Sequence, residues 1–248
     1  MKFCPDERVL VSPRHLAGTG DCVADVLGPL IHLFNWRHTR DESAGCITVD
    51  SPDGSIVIDF TPTTFEGVWW TIARHEPFWR ITATQQTPME VLAGVTPLLP
   101  LLLTNIRHPD RIGLSDYTVA ELARLYDWTT ADNASGVSFT SPDGHCTVRH
   151  TPGTEQPWYA EHSVRDGVGT RWHVAFEGEV PDALARQFFL YLATDVPVER
   201  TLEDIPRLAR GQAQMTPLGG KPPSGALGPQ LSHVLGGIVD AVEKGRRR

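Results

Sequence analysis

Two short stretches hold the residue types that do chemistry. HCTVRH contains His145, Cys146 and His150, the donor types that bind soft or borderline metals, and AEHSVRD contains Glu161, His162, Ser163 and Asp166, the types that build nucleophilic sites. Spacing argues against both. On a strand, His145 and Cys146 face opposite ways, and Cys146 and His150 share a face but stand about 13 Å apart, too far to chelate one ion. Neighbours in AEHSVRD likewise alternate between faces, so they do not assemble a triad among themselves. No GxGxxG, P-loop, GxSxG or HExxH occurs. No metal site and no cofactor is expected. A catalytic role stays open only in one form, an unfamiliar site between the two halves built on two buried, coupled carboxylates or histidines in a pocket.

The halves exist because the chain repeats itself. TVDSPDGSIVIDFTP from Thr48 returns as FTSPDGHCTVRHTP from Phe139. LIHLFNW ending at Trp36 matches LARLYDW ending at Trp128, Pro62 matches Pro152, Trp69 and Trp70 match Trp158 and Tyr159, FWRITA matches RWHVAF, and Pro88 matches Pro181. Within this repeat Cys146 replaces Ile56 and His150 replaces Phe60, so both stand on a core face. WTIARHE, the counterpart of the serine-bearing stretch, has no Ser or Asp. Ser-Pro-Asp-Gly itself reads as a hairpin turn: Pro presets one dihedral, Asp53 or Asp143 bonds its own backbone, and Gly relieves the exit.

Around the turns the elements read as helix, several strands, helix in each copy. CITVD, SIVIDF, VWWTIAR and WRITAT are rich in branched and aromatic residues, and Ile56, Ile58 and Phe60 alternate on one face. Thr118 and Glu121 have capping-box spacing, Asp21 is placed to cap the corresponding first-copy helix with Gly28 and Pro29 bending it, and Thr87, Pro88 and Glu90 mark the start of another helix. GTGD at Gly18 reads as the entry turn to the first helix. The expected fold is therefore α+β: two pseudo-symmetric helix/antiparallel-sheet/helix repeats, residues 1–107 and 108–208, then a Gly/Pro-rich linker over 209–229 and an amphipathic helix with a basic tail over 230–248.

Composition bounds the partners. The chain has 248 residues and a formal net charge of −8, but residues 1–206 carry a balance of −13 and residues 207–248 a balance of +5. An acidic body repels a phosphate backbone, so nucleic acid would need a local patch. The four cysteines form no CxxC pair, no segment of about 18 apolar residues occurs, and the start lacks the apolar run of a signal peptide; a reducing cytoplasm and no membrane span are expected.

Two features suit binding. Trp69, Trp70, Trp79, Trp158, Tyr159 and Trp172 form an aromatic set in which adjacent members face opposite sides of a strand, leaving one of each pair for a base or a protein partner; the plain alternative is a sheet covered on both sides. In the tail, Leu231, Val234, Leu235, Ile238, Val239 and Val242 form one apolar helical stripe ahead of Arg246, Arg247 and Arg248. Such a helix needs something to dock on, its own body or a second subunit in the simplest case.

The opening VSPRHLAGTGD at Val11, the paired SPD turns and WRITATQQTPMEVLAGVT resemble the actinobacterial SPDY-domain family, a family of unknown function often found as tandem copies; the resemblance covers roughly residues 8–194. It implies no catalytic residues, and Gly54 and Gly144 stand where the family's name implies Tyr. The expectation is a non-catalytic cytoplasmic adaptor that recognises a protein partner through the inter-repeat groove or the C-terminal helix, with self-association open; the alternative is nucleic-acid binding in a plasmid or phage context through the aromatics and the basic tail.

Overall fold

The computed structural model describes residues 7–62, 67–104, 113–164 and 171–218. The expected C-terminal helix lies outside them. After β1 (Arg8–Ser12) and α1 (Val23–Phe34), the first copy lays down β2 (Arg37–Asp41), β3 (Cys46–Asp50), β4 (Ile56–Phe60), β5 (Val68–Arg74) and β6 (Trp79–Thr84) as an antiparallel meander. It closes with α2 (Met89–Val95) and the short α3 (Leu99–Leu102). The second copy repeats the plan: α4 (Val119–Leu125), β7 (Thr129–Asn133), β8 (Gly136–Thr140), β9 (Cys146–His150), β10 (Trp158–Ser163), β11 (Arg171–Gly178) and α5 (Asp182–Ala193). Then come β12 (Val198–Thr201) and β13 (Gln214–Pro217).

Two helix/sheet/helix repeats are not what forms. The chain is mostly antiparallel β, because β6 pairs with β11 from Trp79↔Gly178 to Ala83↔Val174 and fuses both meanders into one ten-stranded sheet, ordered β2-β3-β4-β5-β6-β11-β10-β9-β8-β7. Periodicity reveals strands but not which edges meet. An unpaired last strand in each copy would leave a row of bare N–H and C=O groups, and pairing β6 with β11 satisfies both rows at once. A second, unforeseen sheet of three strands, β12-β1-β13, joins the ends of the described chain. Residues 209–218, expected as linker, hold one of its strands.

Helices from both copies lie together on one face of the large sheet, packing in the order α1, α2, α5, α4. Val49, Ile58, Ile72, Ile81, Phe176 and Trp158 are opposed strand by strand and all are buried in a single core with the helices. Full burial contributes roughly 1.5–3 kcal/mol for each such side chain. The small sheet has its own core of Val9, Val11, Leu16, Ala17, Val198, Ile205 and Ala209.

Both SPDG turns form as expected. Gly54 N donates to Ser51 O and Gly144 N to Ser141 O, each at 2.9 Å, and the glycines take φ of +72° and +75°. That left-handed conformation explains why glycine rather than tyrosine occupies the fourth position. Repeat symmetry reaches the helix ends too, where Asn35 (φ +56°) and Asp127 (φ +57°) turn the chain into Trp36 and Trp128. The Thr118–Glu121 capping box is present on α4. Three local readings change. Cys22, not Asp21, precedes α1, which runs through Pro29. No side chain caps α2, which begins after Pro88. Glu90 instead reaches Arg200 in β12.

Candidate functional site

Register corrects the alignment of the aromatic pairs. Trp70 faces Phe60 and Trp158 faces His150, so Trp70 and Trp158 are counterparts and Tyr159 corresponds to Thr71. The displacement comes from an irregularity between Val68 and Trp70 that holds an extra residue. Trp70, Trp79, Trp158 and Trp172 are buried core residues. Trp69 is half-buried, edge-on to Phe60 with ring centres 6.1 Å apart. Tyr159 is half-buried on the opposite face, beneath the Arg149 guanidinium at 5.2 Å and stacked with His173 at 5.7 Å.

Among the described residues, no helix lies over that opposite face. One row crosses all ten strands: Thr39, Thr48, Asp59, Thr71, Thr82, Ala175, Tyr159, Arg149, Ser138 and Ala131. Thr48 Oγ1 donates to Asp59 at 2.7 Å, Arg149 donates to Glu161 at 2.5 Å, and Arg80 donates to Glu177 from Nε at 2.9 Å. The face is mixed in charge and rich in hydroxyls, where the covered face is apolar.

A third arrangement joins the opening segment to the second copy. His15, 3% exposed, donates from Nε2 to Asp143 at 2.7 Å, and Asp143 also accepts from Ser141 Oγ at 2.5 Å and from the His145 backbone at 3.1 Å. Burial works to raise the Asp143 pKa, but His15 and the two other donors win and hold the carboxyl well below its usual range. Asp53 makes only local bonds, to Ser51 and Ser55. Beside His15, at 5.6 Å between ring centres, lies His162, stacked on Trp172; neither of its ring nitrogens has a hydrogen-bond partner among the described residues. Burial, with help from His15, depresses its pKa to about 3 against the opposing pull of Asp143. Trp172 Nε1 donates to His15 O at 3.1 Å.

Two buried histidines therefore do meet, yet the polar hollow of about 430 Å³ lined by Gln86, Glu203, Asp204, Arg207 and Arg210 includes neither. Ser141 donates to the carboxylate that His15 also bonds, so the order is Ser–Asp–His and the histidine cannot take the serine's proton. Among the described residues no group of three His, Cys, Asp or Glu is placed to hold a metal. Cys146 is buried with its thiol pKa pushed up by burial, and His150 stacks on Trp158 at 4.0 Å. Glu161 pairs with Arg149 on the open face while His162 points into the core, so that stretch is divided as strand alternation requires; Asp166 lies outside the described residues.

The rest of the opening segment holds charge. Arg200, nearly inaccessible, donates two parallel bonds to Glu90 at 2.6 and 2.7 Å and others to Ala17 O and Gly18 O. Burial would lower its pKa, but Glu90 raises it overall. A Cβ at Gly20 would sit 2.8 Å from the guanidinium carbon and one at Gly18 would sit 2.6 Å from Asp204 O, so both glycines of the GTG turn are packed against neighbouring chain. Buried Arg14 donates to Tyr191 O. None of this was expected. The one available signal is the recurrence of Arg14–His15 as Arg107–His108, 93 positions on.

A family model, SPDY, a domain of unknown function (DUF317), matches residues 50–99 and again residues 140–198. The chain carries SPDY segments in tandem. Each segment spans the SPDG turn, the last three strands of its meander and the helix that follows, and the second extends to the first residue of β12. The half-exposed Tyr159 and the Asp143 carboxylate belong to the second SPDY segment; His15 and Arg14 lie outside both. No curated protein and no solved structure matches the chain. No described helix is long and apolar enough to cross a membrane.

Proposed function

We propose that this tandem SPDY chain is a non-catalytic binding protein that takes a protein partner on the open face of its ten-stranded sheet. One observation carries the reading: a continuous row across ten strands, with no helix over it among the described residues, presents Tyr159 between Arg149 and His173, flanked by threonine hydroxyls and ion pairs. Interfaces concentrate energy in amphipathic aromatics and arginines surrounded by a polar rim, and a mixed-charge face suits a protein better than a polyanion. The pairing of β6 with β11 makes this surface continuous across the two copies. Residues 230–248 remain a second candidate contact. A deletion that tests them should begin after Leu218, since β13 ends at Pro217.

The deciding experiment compares immobilised full-length chain with its Tyr159→Ala and Arg149→Ala variants. A protein retained stoichiometrically after nuclease treatment by the first, and lost from both variants, supports the reading. Retention indifferent to both substitutions sinks it, and material released by nuclease would move the assignment to nucleic acid.

A further inference from the structure

Resting on the open face as a protein-binding surface, we propose that its occupant is a second copy of this chain, held in a symmetric dimer whose two-fold axis runs parallel to the strands. Charge placement on the face points to this partner. Asp59 on β4 and Arg149 on β9 occupy the same position in the two copies of the repeat and stand in the same cross-strand row, at mirrored distances from the β6–β11 seam. Five strand spacings of about 4.8 Å separate β4 from β9, which puts the two residues about 24 Å apart. A two-fold axis along the strands at the seam reverses the order of strands and keeps the height of each row. The partner's Asp59 then lies over Arg149, and the partner's Arg149 over Asp59.

The second charged row obeys the same operation. Arg80 and Glu177 are opposed across the seam, so the reversal sets the partner's Arg80 over Glu177 and the partner's Glu177 over Arg80. Glu161 shares its row with His173, Thr84 and Val68, so it comes over the partner's β5 at the height of Val68 and meets no like charge. The partner's Thr71 comes over Tyr159, a small side chain against a ring. The other in-plane axis, across the strands, would stack Asp59 on Asp59 and Arg149 on Arg149. Complementarity thus selects both the partner and the orientation, which is what an isologous interface requires.

Size is compatible. The central six strands cover about 24 Å by roughly 17 Å, a little over 400 Å² in projection, and side-chain relief brings the total buried on both copies to the order of 1,000 Å², the lower end for a specific interface. Arg149 gives one of its five N–H groups to Glu161 and keeps others for a second carboxylate.

The test is sedimentation of the full-length chain over a wide concentration range, with Asp59→Arg, Arg149→Asp and the double reversal. Each single reversal should weaken self-association roughly tenfold to a hundredfold, because each occurs twice in the dimer, and the double reversal should restore it. Far-ultraviolet dichroism keeps a folding defect from being mistaken for lost pairing. A chain monomeric at every concentration, or a dimer indifferent to the reversals, overturns the proposal. In that event, Tyr159-dependent capture of a different protein would leave the binding reading standing, and its absence would remove both.

Discussion

Thr82 and Ala175 face each other across the β6–β11 seam, and each is the other's counterpart in the repeat, so the pseudo-two-fold axis passes between them. Ile81↔Phe176 and Ala83↔Val174 are then the same pairing met from either side. Both copies share one sheet and one core. Heating should therefore give one cooperative transition for the large sheet, with calorimetric and van't Hoff enthalpies in agreement; two resolved transitions would mean that the copies fold as separate units.

The two SPDG aspartates should respond unequally. Asp143→Asn leaves His15 buried against a weakened acceptor and should cost about 1–3 kcal/mol, while Asp53→Asn, which disturbs only a solvent-exposed turn, should cost under about 1 kcal/mol. Urea denaturation of the two variants beside the parent measures the difference.

Acidification should weaken the fold early. His162 binds its proton near pH 6.5 when unfolded and near pH 3 in place, so the unfolded chain takes up the proton first, and stability present above pH 6.5 is lost as pH falls towards 3, by up to about 1.4 kcal/mol per pH unit. The groups facing it are His15, Asp143 and His145, with Cys146 opposite on β9. Asp143, its pKa depressed, adds its own loss only below the usual carboxylate range. Replacing His162 by Phe, which keeps a ring against Trp172, should flatten the denaturation midpoint between pH 6.5 and 4.5; an unchanged slope would contradict the assignment.

Breaking the Glu90–Arg200 pair should be the most damaging single polar change. Glu90→Gln leaves Arg200 and Arg14 buried with no compensating carboxylate bonded to either, and a loss of about 3–5 kcal/mol is expected. Chemical denaturation reads it directly.

Gly94→Ala tests packing between the copies. A Cβ there would stand 2.3 Å from the Tyr191 ring, close to its attachment, so α2 and α5 must separate or the ring must move, at about 1–3 kcal/mol. Thermal melting of Gly94→Ala alone and with Tyr191→Ala should show the second substitution relieving part of the first.

Local chemistry was legible in the sequence. Alternating Ile56, Ile58 and Phe60 announced a strand, Ser51 to Gly54 a turn, Thr118 and Glu121 a helix start, and each is set within a few residues of its partners. What was not legible depends on distant contacts. Nothing near Glu90 distinguishes a helix-start carboxylate from one reaching Arg200, and nothing in RWHVAF says that its strand pairs with WRITAT rather than ending a sheet. The aromatic pairs failed by one position because an irregularity in β5 adds a residue that sequence alignment cannot place. Asp143 looked like a turn residue and is one; its second role came from His15, on the far side of the repeat.

The three-stranded sheet has a consequence for biosynthesis. β1 is among the first described segments to leave the ribosome, yet both its neighbours, β12 and β13, are made after the whole ten-stranded sheet. Until Val198 and then Met215 emerge, Val9 and Val11 have no strand to pair with, and the nascent chain carries an apolar, edge-exposed segment throughout translation. Its vulnerable period is set by chain length: a stop between β12 and β13 releases a protein whose first strand has lost one of its two neighbours, and a stop before β12 one that has lost both.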